Sequence, residues 1–319
     1  MRKTSTLLAA IVLLLLALGI VMLASTSNVR GSANFHDPFY FLKRQVVWLV
    51  LSLVVGAAVV RFDYHWWEKL AVPLTALSLV LLGLVFVSGV GARVGGSNRW
   101  IRLGPLSLQP SELAKFTVIV GLAAWVANIG PGVRRLSKGI IVPIGGLAMV
   151  LLMLLFEPDF GTTMLVGAVG MGILFAGGAK LGHLAITAVL GFSAFAIAVA
   201  QNSVRLRRVM AFLFPNDPEY AAEAYHLAQS QTAFIRGNLA GVGLGESIQK
   251  QFYLPEAHTD FILAIIGEEL GLVASLLVVL LFLGVLICGF LISAKAPDPF
   301  GRLLGFGLTL MLTMQAAIN

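Results

Sequence analysis

The sequence predicts an all-α polytopic membrane protein, and three observations carry that prediction. Of the 319 residues, 58% are hydrophobic and 12% are charged, against roughly 25% charged in an ordinary soluble domain. The mean hydropathy of +0.93 extends along the whole chain, so nearly every long segment must face lipid or another apolar helix. Finally, the chain divides into apolar runs near or above the roughly 17 residues that a span requires. A water-soluble globule is excluded. A disulfide scaffold, a Cys/His metal cluster and CxxC redox chemistry are excluded too, because Cys288 is the single cysteine. The net charge of +7 favours anionic headgroups or phosphate-bearing substrates. No basic-aromatic module points to nucleic acid.

The first run, from Leu7 to Ala24 behind Met1-Arg2-Lys3, exceeds the about 7–15 residues of a signal-peptide core and lacks a convincing cleavage site, so it reads as the first span. Further runs lie at about 45 to 60, 69 to 90, 111 to 127, 139 to 156, 162 to 179, 184 to 201, 261 to 292 and 301 to 319, which predicts nine helices in one integral membrane domain, residues 1–319. The second is short but bracketed by Lys43-Arg44 and Arg61. The eighth is over-long and must tilt, bend or project. The chain stops at Asn319 on an apolar run with no polar tail, so a tenth helix is expected beyond it.

Between the seventh and eighth runs lies a long loop, residues 202–258. Its residues 203–214 set Arg205 and Arg208 opposite Leu206, Val209 and Met210 at helical spacing, as in a helix lying in the interface. A second short helix is predicted over 221–236. The string Gly241-Val242-Gly243-Leu244-Gly245 follows no strand and precedes no Walker lysine, so it reads as a packing or hinge turn.

With Met1 inside, the inner segments carry Arg2, Lys3, Arg61, Lys69, Arg134, Arg135, Lys138, Lys180, Lys295 and Arg302. The short outer loops carry Arg30, Lys43, Arg44, Arg93, Arg99 and Arg102, but Arg205, Arg207, Arg208, Arg236 and Lys250 of the long loop erase the bias if counted. The N-terminus is placed inside, with the basic loop outside as a surface for a phosphate ligand.

Span parity then brings the loops after spans three, five and seven to one face. There lie Glu112, Glu157, Asp159, Glu256 and Asp260, each beside a proline or a helix start, and a polar pocket roofed by the long loop is expected. Helix capping is the plain alternative, with Ser111, Asp159 and Thr259 as N-caps and acids in first turns worth roughly 0.3–1 kcal/mol each. Two features favour function. Lys115 lies within an apolar run one turn past Glu112, and Glu268 and Glu269 lie about 12 Å deeper than Asp260 at the helical rise. Ionisable groups at such depth mark functional cavities.

The strings Asn98-Arg99-Trp100-Ile101, Gln109-Pro110-Ser111-Glu112 with Lys115, Glu157-Pro158-Asp159-Phe160-Gly161-Thr162, and Tyr253 through Ile262 followed by Gly267-Glu268-Glu269-Leu270-Gly271 resemble the SEDS family, the shape, elongation, division and sporulation proteins, over nearly the whole chain. Gly243 through Lys250 leading into Tyr253-Leu254-Pro255-Glu256 resembles the family's division branch more than its elongation branch. Glu157 departs from the pattern, since members usually carry glutamine there.

The resemblance implies a peptidoglycan glycosyltransferase of the bacterial cytoplasmic membrane that polymerises lipid II at the outer face with a class B penicillin-binding protein and other division proteins. Asp260 matches the family's catalytic aspartate and would take the proton from an acceptor hydroxyl. Substrate contacts are expected from Glu112, Lys115, Arg99, Arg102, Glu256, His258, Arg205, Arg208 and Lys250, with Asp159, Glu268 and Glu269 shaping the cavity. Lys115, loop arginines or a divalent cation such as Mg²⁺ or Mn²⁺ would offset pyrophosphate charge. No electron or nucleotide cofactor is called for. Two rival readings are a transporter of lipid-linked sugar using Glu112, Lys115, Glu268 and Glu269 as a polar path, and a non-catalytic division scaffold.

Overall fold

The computed structural model describes residues 2–94, 97–103 and 106–319. Its helices follow the apolar runs, because in lipid the backbone can satisfy its polar groups only within the segment. They are α1 (Arg2–Phe35), α2 (Tyr40–Val59), the short α3 (His65–Lys69), α4 (Ala71–Leu84), α5 (Pro110–Ile129), α6 (Val142–Phe156), α7 (Phe160–Ala176), α8 (Leu181–Ala200), α9 (Ser203–Leu213), α10 (Ala221–Gly237), α11 (Ile262–Ala294) and α12 (Pro299–Ile318). Among the described residues, seven helical stretches are long and apolar enough to cross a membrane, and α4 and α7 are shorter apolar helices. The chain is an integral membrane protein.

Packing divides it into two compact units. One comprises Phe62–Leu190 and Leu286–Ile318 with the start of the chain up to Ser5; the other comprises Thr6–Arg61 and Gly191–Val285. In the first unit α5 is the axis, half-buried along its most apolar stretch against α4, α6, α7 and α12. Its start is written locally: Gln109 is extended and Pro110 occupies the first helical position, where a missing N–H costs nothing. Asp159 caps α7 by accepting from the Thr162 N–H at 3.3 Å, as expected. Ser111 and Thr259 do not cap. Ser111 lies inside α5 with its hydroxyl buried and unpartnered, and the Thr259 hydroxyl turns back to Glu256.

The segment before α5 is a three-stranded antiparallel sheet: β1 (Gly91–Val94), β2 (Ser97–Leu103) and β3 (Leu106–Leu108), with Ala92 opposite Trp100 and Ile101 opposite Leu108. The all-α prediction treated it as loop. The signal was faint: Trp100 and Ile101 favour strands, but Arg99, Trp100, Ile101 and Arg102 do not alternate polar with apolar, and long apolar runs outweigh so short a segment when spans are sought.

In the second unit the over-long α11 resolves its length by breaking at Gly271, which takes φ +80, a conformation that favours glycine. The break frees carbonyls, and the glycine-rich turn satisfies them. Val242 and Gly243 donate N–H bonds to the Glu268 and Glu269 carbonyls at 2.9 and 3.0 Å, and Leu272 donates to Asn238. A Cβ at Gly241 would collide with the Glu269 carbonyl, so that position holds glycine because two backbones meet there.

Candidate active site

The second unit holds a turn over residues 254–261 at the mouth of α11. Leu254 and Ala257 anchor it in the core with Ile265 and Ile266, and the Thr259 and Phe261 N–H groups both return to the Glu256 carbonyl, at 3.1 and 3.2 Å. Glu256 sits at φ +52, rare for a residue with a side chain. Its carboxylate accepts from Arg30 at 3.0 Å and from Thr259 at 3.2 Å. Burial pushes the Glu256 pKa up, but Arg30 and the Thr259 hydroxyl outweigh it and leave the group below its ordinary value. Burial lowers the His258 pKa; its ring packs 4.6 Å from that of Phe41 and its Nδ1 has no partner. Asp260 differs from its neighbours. It is exposed, with no hydrogen bond or ion pair among the described residues. The turn therefore spends one carboxylate on its own structure and presents the next to an incoming group.

Deeper in this unit, Glu268 and Glu269 are fully buried and fully engaged. Glu268 accepts from the Ser247 hydroxyl and from the Ile248 and Gln249 N–H groups, the latter two at 3.2 Å, and pairs with Arg236 at 3.2 Å. Glu269 pairs with Lys250 at 2.7 Å and accepts from Ser25 at 2.8 Å. Lys250, expected as a substrate cation, is only 7% exposed and directs its three donors to Glu269, Ser25 and the Gly245 carbonyl. An ammonium has three N–H groups, so none remains for a substrate. Beside this network a cavity of about 400 Å³ is lined by Ser25, Asn28, Lys250 and Gln251 among others.

The arginines of α9 divide similarly. Arg207 is bound to the Glu223 carboxylate at 2.6 Å and to the Glu219 carbonyl. Arg208 is exposed and Arg205 half-buried.

In the first unit Glu112 and Lys115 pair at 2.7 Å across one turn of α5, with Lys115 buried and Glu112 reaching outward. Lys115 also donates to Gln315 of α12 at 2.9 Å, a partner that spacing could not reveal. Arg99 reaches from β2 to the turn between α6 and α7, donating to the Glu157 and Pro158 carbonyls at 3.2 and 2.5 Å, with Asp159 at 4.0 Å. Two of the strings singled out in the sequence are thus one clamp, and Arg99 is largely occupied by it. Arg102, nearby on β2, is exposed.

Glu157 is buried in that turn with neither carboxylate oxygen hydrogen-bonded. Burial, with Asp159 adding to it, raises its pKa to about 8, so the group is a neutral acid at pH 7. A folded-state pKa above the unfolded value near 4.5 gives stability that is complete below 4.5 and is lost progressively as pH rises to about 8. Glu157→Gln should therefore stabilise the fold, seen as a higher melting temperature, by an amount that grows between pH 4.5 and 8 and levels off above, reaching at most about 5 kcal/mol at 1.36 kcal/mol per unit. A gain independent of pH in thermal melts would sink this account.

Among the described residues no three His, Cys, Asp or Glu side chains converge as a metal cage requires.

The model of the FtsW/RodA/SpoVE cell cycle proteins matches residues 5–319. The chain is 43% identical over 310 residues to the probable peptidoglycan glycosyltransferase FtsW of Nitrosococcus halophilus, covering 96% of this chain and 79% of that protein. It is 40% identical over 308 residues to the protein of the same name from Legionella pneumophila, covering 96% and 78%. Among solved structures, Thermus thermophilus RodA superposes with a TM-score of 0.70 at 25% identity, over 100% of this chain and 83% of that one. A chain of a peptidoglycan synthase complex described as coordinating polymerization and crosslinking superposes at 0.75 with 27% identity, over 100% and 85%. The family resemblance carried by the short strings thus extends from Ser5 to Asn319, and the chain belongs to the FtsW/RodA/SpoVE family of cell cycle proteins.

Proposed function

We propose that the protein is a peptidoglycan glycosyltransferase of cell division, polymerising lipid II at the outer face of the cytoplasmic membrane with Asp260 as general base. The observation that carries this reading is the turn over 254–261, in which Arg30 occupies Glu256 while Asp260 is exposed and, among the described residues, unpaired. A general base must be ionised and reachable by the proton it takes. In the reaction the acceptor's 4-hydroxyl oxygen bonds to the donor's anomeric carbon as the bond from that carbon to the pyrophosphate breaks; the hydroxyl proton passes to Asp260, and the pyrophosphate leaves on its lipid. In the same unit as Asp260, Arg208 is exposed and, among the described residues, holds no ion pair, so it offers a cation to the leaving pyrophosphate.

The nine apolar helices among the described residues all cross the bilayer, the N-terminus is cytoplasmic, and residues 202–258 lie outside. The partner is a class B penicillin-binding protein that crosslinks the strands produced.

Purified protein with such a partner should convert defined lipid II to glycan polymer. Lipid II crossing a vesicle bilayer without polymer would identify a transporter instead. A cysteine at Asn216 in a Cys288→Ser background should react with an impermeant thiol reagent from outside, and labelling only from inside would reverse the orientation.

A further inference from the structure

The first unit contains a second concave feature, lined by none of the residues assigned above to the chemistry. A groove of about 600 Å³ runs between α4, α5 and α6. Its walls are apolar along most of their length, from Leu79 and Val150 to Val72. One end is polar: there Asn128 donates to Glu68, and the Trp125 indole N–H donates to the Lys138 carbonyl at 2.9 Å. An indole with its ring in an apolar groove and its N–H at a polar rim marks headgroup level. In the chain next to that rim lie Lys69, which follows Glu68, and Arg134, Arg135 and Lys138 of the segment joining α5 to α6, all exposed and, among the described residues, without an ion-paired carboxylate. Four cations stand against two carboxylates, Glu68 at the rim and Asp63 near Lys69.

We infer that this groove is a binding site for one anionic diacyl phospholipid, its chains lying between α4 and α6 along α5 and its phosphate among the four basic side chains. A basic pocket between spanning helices at one membrane face has the chemistry of an anionic-headgroup site. A neutral partner helix or a second copy of the chain would have no use for the cations, which repel any equally basic surface. The occupant packs along the helix that carries Glu112 and Lys115, and on the orientation proposed above it lies in the inner leaflet.

Gly146 offers a test that leaves the protein's own packing alone. A Cβ added there meets nothing within 4 Å, so a leucine at this lining position starts in open space and extends into the groove. The full chain is reconstituted in vesicles of mixed phosphatidylglycerol and phosphatidylethanolamine, extracted in mild detergent and weighed by native mass spectrometry. The wild-type chain should retain one phosphatidylglycerol in preference to phosphatidylethanolamine. Changing Lys69, Arg134, Arg135 and Lys138 to Gln should cut that preference at least tenfold, since each cation near a headgroup contributes about fivefold. Gly146→Leu should lose retention with unchanged melting temperature. Phosphatidylglycerol held equally by both variants, or no preference in the wild type, overturns the site. A photo-crosslinker at Val72 that yields protein-sized adducts instead of lipid adducts would assign the groove to a partner helix or a second copy, and would overturn it as well.

Discussion

Asp260→Asn is expected to insert and fold normally while its polymerisation of lipid II falls about 10²- to 10⁴-fold, the range that loss of a positioned general base costs. The substitution removes a proton acceptor and little else, because the Asp260 carboxylate supports no hydrogen bond or ion pair among the described residues. Glu256→Gln provides the contrast. It weakens the contact with Arg30 and should loosen the turn, so its effect should appear in thermal melts as well as in turnover. Near-normal polymer from purified Asp260→Asn with its partner present would remove Asp260 from the base's role. The rate of the wild-type protein should also be unaffected by titration of His258, whose pKa burial holds low, above about pH 7.

The second large effect is on stability. Lys250→Met strands the fully buried Glu269 without its cation, and breaking one side of a buried pair costs about 3–5 kcal/mol. Much of the second unit's stability rides on this, because the same network ties Ser25 of α1 to the segment before the turn and to α11. Adding Glu269→Gln should recover most of the loss, since the amide still accepts from Ser25 and no charge is left unpaired. Recovery separates a structural lysine from a substrate-binding one. Were Lys250→Met to lose activity at unchanged melting temperature, with no rescue by the second substitution, the lysine would have to meet substrate.

The Lys250 case shows where inference from spacing ends. Its charge was plain in the sequence, and a basic loop beside a phosphate-bearing substrate invites a cation-to-anion assignment. Packing decided otherwise by placing Glu269 beneath it, 19 residues away, and Ser25 beside it, 225 residues away. The same holds for Arg207, which Glu223 occupies, and for Arg99, which closes over a turn 58 residues further on.

What could be read directly were quantities set by local rules. Helix positions followed from apolar runs because bilayer thickness fixes the length of a span and lipid leaves the backbone no other partner. The Glu112–Lys115 pair followed from three-residue spacing on one helix, and the Asp159 cap from a side chain that reaches its own helix start. Each of these is a contact within a few residues, where chain geometry leaves little choice. The three-stranded sheet, the break at Gly271 closed by the turn at Gly241, and the spent or available state of each charged side chain required the fold. They depend on which distant segments meet, and that is settled by side-chain packing and by the need of every buried charge and every freed carbonyl for a partner. Asp260 shows both sides of the division: its identity and motif were legible from residues alone, whereas its standing unpaired beside an occupied Glu256 was decided by Arg30, 226 residues from that glutamate, arriving on α1.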